Sequence, residues 1–248
     1  MQVIINADDL GSSTASNDAI FDLMDRGLIT SATIMANCAA SSDALSRVQR
    51  FPHCSFGVHL NATAFQPLRS DPALAPLMDG NGQFSRKRLP ARLNPTTRRA
   101  LLAEFCAQVD RILEAGILIS HLDSHHHVHN LPALFPVLKA VQRRYNIRKV
   151  RITQNLYAPG HRIGVRRYLQ KKAYNWALRN LYRTRTTDGF TDLRTFYRLL
   201  KTQPLALRTV ELMVHPGPSA YEQETDLLAS AWSDELLCPV QKINYHQL

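Results

Sequence analysis

Short apolar runs that end in a carboxylate, an imidazole or a guanidinium recur along this chain, with helical stretches between them. Val3-Ile4-Ile5 leads into Asn6-Ala7-Asp8-Asp9, Phe56-Gly57-Val58 into His59, and Ile117-Leu118-Ile119 into the tract that begins at His121. Lys149 to Ile152 carries Arg151, and Val210 to Val214 runs into His215. Thr33 to Met35 is a further strand candidate. Helical spacing marks Ala15 to Arg26, Ser41 to Arg50, Thr96 to Ala115, Pro132 to Tyr145 and Glu222 to Leu236. Repeated β-then-α units imply a parallel sheet covered by helices, either open or closed into a barrel. In such barrels the C-terminal strand ends form the face that carries chemistry. Asp8, Asp9, His59, His125, Arg151 and His215 are therefore expected to meet there.

The chain has 248 residues, 45% of them hydrophobic, enough for one large domain with a full core. No uncharged apolar run reaches the ~20 residues of a membrane span. No basic, then apolar, leader pattern opens the sequence, so a cleaved secretory signal is not expected. Cys38, Cys54, Cys106 and Cys238 lie far apart, which fits reduced thiols in a cytoplasmic protein. Two segments break the β/α rhythm. Residues 64–95 hold Pro67, Pro72, Pro76, Pro90 and Pro95, and such a long irregular connection reads as a wall or lid over a site. Residues 157–187 form a basic excursion. Fourteen of the thirty Lys and Arg fall between Lys139 and Arg185, and no Asp or Glu occurs from Ser124 to Thr187. The net charge of +10 thus belongs to one segment, which favours an anionic partner. Arg166 to Tyr182 reads as a basic amphipathic helix, either an ordinary barrel helix with a solvated basic face or a surface that meets an anionic membrane or a phosphate-linked glycan.

Adjacent carboxylates such as Asp8 and Asp9 repel each other unless a cation lies near; as a bare motif they also make a solvated turn or a helix cap. The tract His121-Leu122-Asp123-Ser124-His125-His126-His127-Val128-His129 is the strongest local signal. Read as extended chain, it places His121, Asp123, His125, His127 and His129 on one face, an arrangement suited to a divalent metal. A surface histidine tract is the competing reading, and the apolar run before it argues against that.

Together, Asn6-Ala7-Asp8-Asp9-Leu10-Gly11, Gly57-Val58-His59-Leu60, His121 to His129 and Val214-His215-Pro216 resemble the YdjC-like carbohydrate deacetylases, of the chitooligosaccharide and hopanoid-biosynthesis type. The likeness runs from the first strand to the last. It includes Gln66-Pro67-Leu68 and Leu77 to Phe84 in the proline-rich segment. Leu10 departs from the family's usual phenylalanine, a change in packing only. The resemblance implies a distorted (β/α) barrel with fewer than eight regular units in a single domain. It implies one divalent ion, magnesium or zinc, on Asp9, His59 and His125. Asp8 would be the base and His215 the general acid. Asn61, His127, His129 and Arg151 would support the site or touch the sugar. The expected substrate is an N-acetylated sugar, free or carried on a phosphate or lipid. The expected location is the cytoplasm, with peripheral contact at the inner membrane surface. Both a monomer and a homodimer are compatible with the sequence.

Three rival readings remain open at this stage. A glycosidase also uses two carboxylates but needs no histidine cluster. A metal phosphoesterase usually wants bridging ligands for two ions. A non-enzymatic nucleic-acid-binding protein would explain the basic segment but not the histidines, and nucleic acid is not the expected partner.

Overall fold

The computed structural model describes residues 1–248. Its centre is strand β1 (Gln2–Leu10), buried over nearly its whole length. Parallel pairing extends from β1 through β2 (Ser31–Ile34) and β3 (Ser55–Leu60) to β4 (Ile119–Ser124) on one side. On the other side lie β6 (Thr209–Val214) and then β5 (Gly189–Asp192). A two-residue strand, β7 (Gln241–Lys242), covers the start of β1 at Gln2 and Val3, below the point where β2 begins to pair. The strands are short and buried on both faces: Val3, Ile5, Ala7, Ala32, Ile34, Val58, Val210 and Leu212 pack in the main apolar core, while the alternate positions, among them Asn6, Asp8, Thr33, His59, Asp123 and Glu211, are buried polar or charged groups. The sheet curls into an incomplete barrel with fewer than eight strands. Its open side is crossed by an irregular segment: Val150 bridges to Leu122, Lys149 to Arg185, and Asn155 bonds to the backbone of Phe190 and Asp188.

Helices α1 (Thr14–Asp25), α2 (Ser41–Arg47), α3 (Pro95–Glu114) and α4 (Phe135–Tyr145) follow successive strands, then α5 (Val165–Asn180), α6 (Leu193–Leu200) and α7 (Glu222–Ala229). Fifty buried apolar side chains form one continuous cluster through sheet and helices. Several elements differ from the sequence expectation. The Lys149–Ile152 strand is reduced to isolated bridges. The helices expected over Ser41–Arg50 and Glu222–Leu236 end at Arg47 and Ala229 and continue as tight turns. The strand β5 and helix α6 were not anticipated, because Gly189-Phe190-Thr191-Asp192 is too short and polar to stand out. Asp192 caps α6 by accepting from the Thr195 backbone N–H at 2.8 Å.

Residues 64–95 are fastened by one buried carboxylate. Glu104 of α3 accepts the backbone N–H groups of Leu68 (3.0 Å) and Arg69 (2.9 Å) and the Gln108 amide (2.9 Å). Leu74, Leu77 and Phe84 then bury themselves in the main core. The segment is irregular in shape but built into the fold.

Gly57 marks the closest approach inside the barrel. A Cβ there would lie 2.5 Å from Cε1 of His121 and 2.8 Å from its carbonyl oxygen. The His121 ring cannot retreat, because it stacks on Tyr245 with ring centroids 3.5 Å apart. Gly57→Ala is expected to lower unfolding free energy by about 1–3 kcal/mol, the usual scale of core overpacking. Urea denaturation with an unchanged m-value measures it.

Candidate active site

One guanidinium organises the charges inside the barrel. Arg151 is fully buried and faces three carboxylates from three strands. Its Nη1 and Nη2 donate to the two oxygens of Asp8, each at 2.6 Å. Nη1 also lies 2.8 Å from Asp123, while Nε and Nη2 lie 2.8 and 2.7 Å from Glu211. Tyr245 donates its hydroxyl to the far oxygen of Glu211 at 2.5 Å. Burial opposes charge on Asp8, but the Arg151 pair outweighs it and holds the carboxyl well below the usual range. For Glu211 burial wins, and its pKa is raised.

Asp8 and Asp9 are neighbours with different partners. In a regular strand they would point to opposite faces. Asp9 has φ of +64°, and this left-handed turn brings its carboxylate round to the imidazoles. Its Oδ1 lies 3.2 Å from His59 Nε2 and 2.9 Å from His125 Nδ1. Burial works against the Asp9 anion, yet His125 and His59 hold its pKa far below normal. His59 sits where β3 pairs with β4, its Cα in register with that of Asp123. Its Nδ1 is 2.7 Å from Asp123, whose other oxygen accepts from Thr33 at 3.0 Å. Burial disfavours the His59 imidazolium, but Asp123, Asp9 and Asp8 push its pKa up to about 10.

The donor atoms of Asp9, His59 and His125 all lie within 4.8 Å of one another. Asp8, Asp9, Asp123 and Glu211 bring four carboxylates to a region with a single guanidinium, the excess that favours a proton on His59, and a divalent ion on Asp9, His59 and His125 would take the place of that proton. His59 is oriented by a carboxylate on its other nitrogen, the usual backing of a metal-bound imidazole. On donor chemistry and charge these residues fit one divalent ion.

The histidine tract does not run extended, and that expectation is corrected. His121 and Asp123 share the interior face of β4 as alternation requires, but the chain turns after Ser124. His126 and His127 both adopt left-handed backbone, with φ of +51° and +54°. The turn swings His125 to Asp9 and folds His129 back beneath. His129 is buried; its Nε2 meets the Arg151 carbonyl at 3.2 Å and its Nδ1 the Ser124 hydroxyl at 2.6 Å. It therefore backs Arg151, with both ring nitrogens engaged inside the protein. His121 lies deep in the barrel on Tyr245, away from the cradle. Burial, followed by the nearby Arg151 charge, brings His127 down to about 3. It borders a cavity of about 700 Å³ with His126, Arg86, Arg167, Lys171 and Tyr174. Arg86 comes from the proline-rich segment, which thus supplies one wall.

Asn61 has no capacity left for a sugar. Its carbonyl oxygen accepts from Thr63 and from the Ala64 backbone N–H, and its amide donates to Asn37 (3.0 Å) and to the Ala64 carbonyl (2.7 Å). It shapes the loop behind His59. His215 follows β6, where Ala7 pairs with Val214, so it emerges beside Asp8. Gly217, at φ +110°, packs against the α1 backbone so tightly that a Cβ would lie 2.7 Å from Ser16 Cα. His215 Nδ1 stands 3.8 Å from Glu224, an ion-pair distance and not a hydrogen bond, and its ring stacks on Tyr221. Burial lowers its pKa, but Glu224, Asp8 and Asp9 more than compensate, so the net shift is upward.

Asp123 was read from the sequence only as part of the metal-suited histidine face, and Thr33, Glu211, Glu224 and Tyr245 were not singled out as site residues. Glu211 had a usable signal, a charge inside the apolar run Val210 to Val214. Tyr245 had none, since only the returning C-terminal segment brings it under the barrel.

Residues 2–239 match the family described as YdjC-like protein, and the chain belongs to that family. A carbohydrate deacetylase of Brevibacillus brevis is 29% identical over 95% of this chain and 88% of its own length. One from Geobacillus stearothermophilus is 38% identical over 58% of this chain, and the match spans 57% of that relative. A crystal structure from Enterococcus faecalis V583, of a protein proposed to cleave cellobiose-phosphate, superposes with a TM-score of 0.79. It covers 99% of this chain and 98% of its own at 23% identity, a likeness of fold.

Arg151→Met tests the centre of this network. In the parent, Asp8 has a lowered folded pKa, so its contribution is full above the ordinary carboxylate pKa near 4 and is lost as pH falls. Without the guanidinium, burial dominates and the folded state takes up protons that the unfolded chain does not. The variant should lose about 3–5 kcal/mol near neutrality, with its stability falling as pH rises from ~5 to ~8. Denaturant titrations across that range show the reversed slope.

Proposed function

We propose that this chain is a carbohydrate deacetylase that hydrolyses the N-acetyl group of an N-acetylated sugar, releasing acetate and a free amino sugar. Its relatives carry that name. The observation that carries the reading is the division between two adjacent aspartates: Asp8 belongs to Arg151, and Asp9 to His59 and His125. Asp9, His59 and His125 would hold one divalent ion. When bound, it would polarise the acetamide carbonyl and acidify the attacking water, which suits a base as weak as Asp8. Two imidazoles and one carboxylate favour zinc-like ions over magnesium.

Asp8 is ionised throughout the physiological range. Its Oδ1 accepts from Arg151 and Asn6, whereas Oδ2 accepts from Arg151 alone. Oδ2 therefore keeps a lone pair to take the proton of the water that adds to the carbonyl carbon. Arg151 fixes the carboxylate plane during that transfer. His215, on the neighbouring strand end and with its pKa raised by Glu224, Asp8 and Asp9, gives a proton to the nitrogen as the C–N bond breaks. The neutral His126 and His127 and the cavity beside them would receive the sugar. Both aspartates leave a single strand end, which does not suit carboxylates flanking a glycosidic bond. In the second possible ligand group, Asp8, His59 and Asp123, both carboxylates are already paired with Arg151, which argues against a second ion and a two-metal phosphoesterase. No helix is long and apolar enough to cross a membrane. The four unpaired thiols support a reducing compartment such as the cytoplasm.

Acetate release from a panel of N-acetylated glycans, with and without chelator, tests the activity. Asp8→Asn should keep the metal and lose turnover by ~100-fold or more. His125→Ala should lose both metal content and turnover. Full metal occupancy in His125→Ala would sink the ligand assignment.

The upward shift of His215 also sets a pH limb. Its imidazolium persists above the ordinary histidine pKa near 6.5, so kcat should fall only on the alkaline side of that value. Glu224→Gln removes the first of the groups that raise it, and the alkaline limb should move to lower pH. A limb unchanged in Glu224→Gln would exclude His215 as the titrating acid.

A further inference from the structure

Helix α5 is amphipathic with its polar anchors inside and part of its apolar surface outside. Its inner face is held by hydrogen bonds. The Asn175 carbonyl oxygen accepts from the backbone N–H and hydroxyl of Thr153, each at 3.0 Å, and Tyr174 donates to the His129 carbonyl. Lys171 donates to the Gln154 carbonyl (3.0 Å) and the Tyr157 hydroxyl (2.6 Å). On the outer face, Val165, Leu169 and Trp176 follow at helical spacing and are 73%, 57% and 65% exposed, with Tyr168 beside them. Exposed Arg162, Arg166 and Lys172 surround this stripe, and no acidic residue lies anywhere from Ser124 to Thr187.

We propose that this outer face of α5 docks on an anionic bilayer surface, with Val165, Leu169 and Trp176 entering the headgroup boundary and the flanking cations meeting lipid phosphates. Exposed aliphatic side chains and an indole gain from leaving water, and an indole favours the membrane interface. Cations around an apolar stripe match an anionic leaflet in charge and layout. Nucleic acid would use the cations but give Val165 and Leu169 nothing to bury against. A second copy of the same face would bring like charges together. The placement also serves the site. Lys171 and Ala173 of α5 and the adjoining Gln154 line both the cavity beside His126 and a second cavity of about 720 Å³ bordered by Tyr157, Ile163, Leu169 and Trp176. Docking through α5 sets the route to the histidines at the interface.

Sedimentation of the full chain with vesicles tests the proposal without any substrate, so its failure and that of the deacetylase reading are distinguishable. Binding is expected to phosphatidylcholine vesicles containing phosphatidylglycerol and not to phosphatidylcholine alone. It should weaken about tenfold or more as ionic strength rises from ~0.05 to ~0.5 M. Emission from Trp176 should shift to the blue on binding, while Trp232, buried in the core, supplies a constant background. The combined Arg162→Gln, Arg166→Gln and Lys172→Gln variant should bind at least about tenfold more weakly. Leu169→Ser with Trp176→Ser should do the same with every charge retained. All five positions are exposed, and an unchanged circular dichroism spectrum checks the fold. Equal partitioning to both vesicle types, or none to either, overturns the proposal. So does full binding by the Leu169→Ser, Trp176→Ser variant, or a duplex DNA shift without vesicle binding, which would assign the face to nucleic acid.

Discussion

A guanidinium removed from water is costly, and three carboxylates removed beside it are costlier still unless each finds a partner. In this protein Arg151 resolves both problems at once. It ties β1 through Asp8, β4 through Asp123 and β6 through Glu211, so the strands that carry the site share one charge contact. His129 holds the Arg151 carbonyl, and Tyr245 closes the far side of Glu211. Removing any one partner leaves an unmatched charge in the interior. The network is therefore better understood as fixing geometry than as adding stability. It sets the plane of Asp8 and, through Asp123, the orientation of His59, the two groups on which the proposed chemistry rests.

The second constraint is backbone strain at the strand ends. Asp9, His126 and His127 hold left-handed conformations that cost residues with side chains of order 1–3 kcal/mol each. The surroundings hold all three. Asp9 is gripped by two imidazoles. The His126–His127 turn is closed by Ser124, whose hydroxyl accepts the His129 backbone N–H at 2.9 Å. Thr63, just before the proline-rich segment, meets His126 at 3.0 Å. These turns convert residues that alternate along a strand into a convergent set.

Both irregular segments bear on the same cavity. Residues 64–95 contribute Arg86 from one side, and α5 contributes Lys171 and Tyr174 from the other. Each is anchored by a buried polar group, Glu104 in one case and Asn175 in the other. The β/α frame supplies the proposed reacting groups, and the two excursions border the cavity beside them.

Strand-forming runs ending in Asp8, Asp9, His59 and His215 were legible in the sequence because apolar periodicity and a terminal polar residue are local properties. The same holds for the parallel β/α architecture and for the basic character of the segment that contains α5. The partition of labour between Asp8 and Asp9 was not derivable from spacing, since it depends on one backbone angle and on Arg151, 143 positions away. The tract from His121 to His129 read as one extended face, yet only His125 of its later histidines reaches the cradle, because Ser124 and the following turn outweigh strand alternation. Glu211 and Tyr245 entered the network through strand pairing and the return of the C-terminal segment beneath the barrel. Sequence determines which chemistry is present and roughly where each strand ends. Which side chains meet was decided by tertiary structure, because burying Arg151 forces distant carboxylates to converge on it.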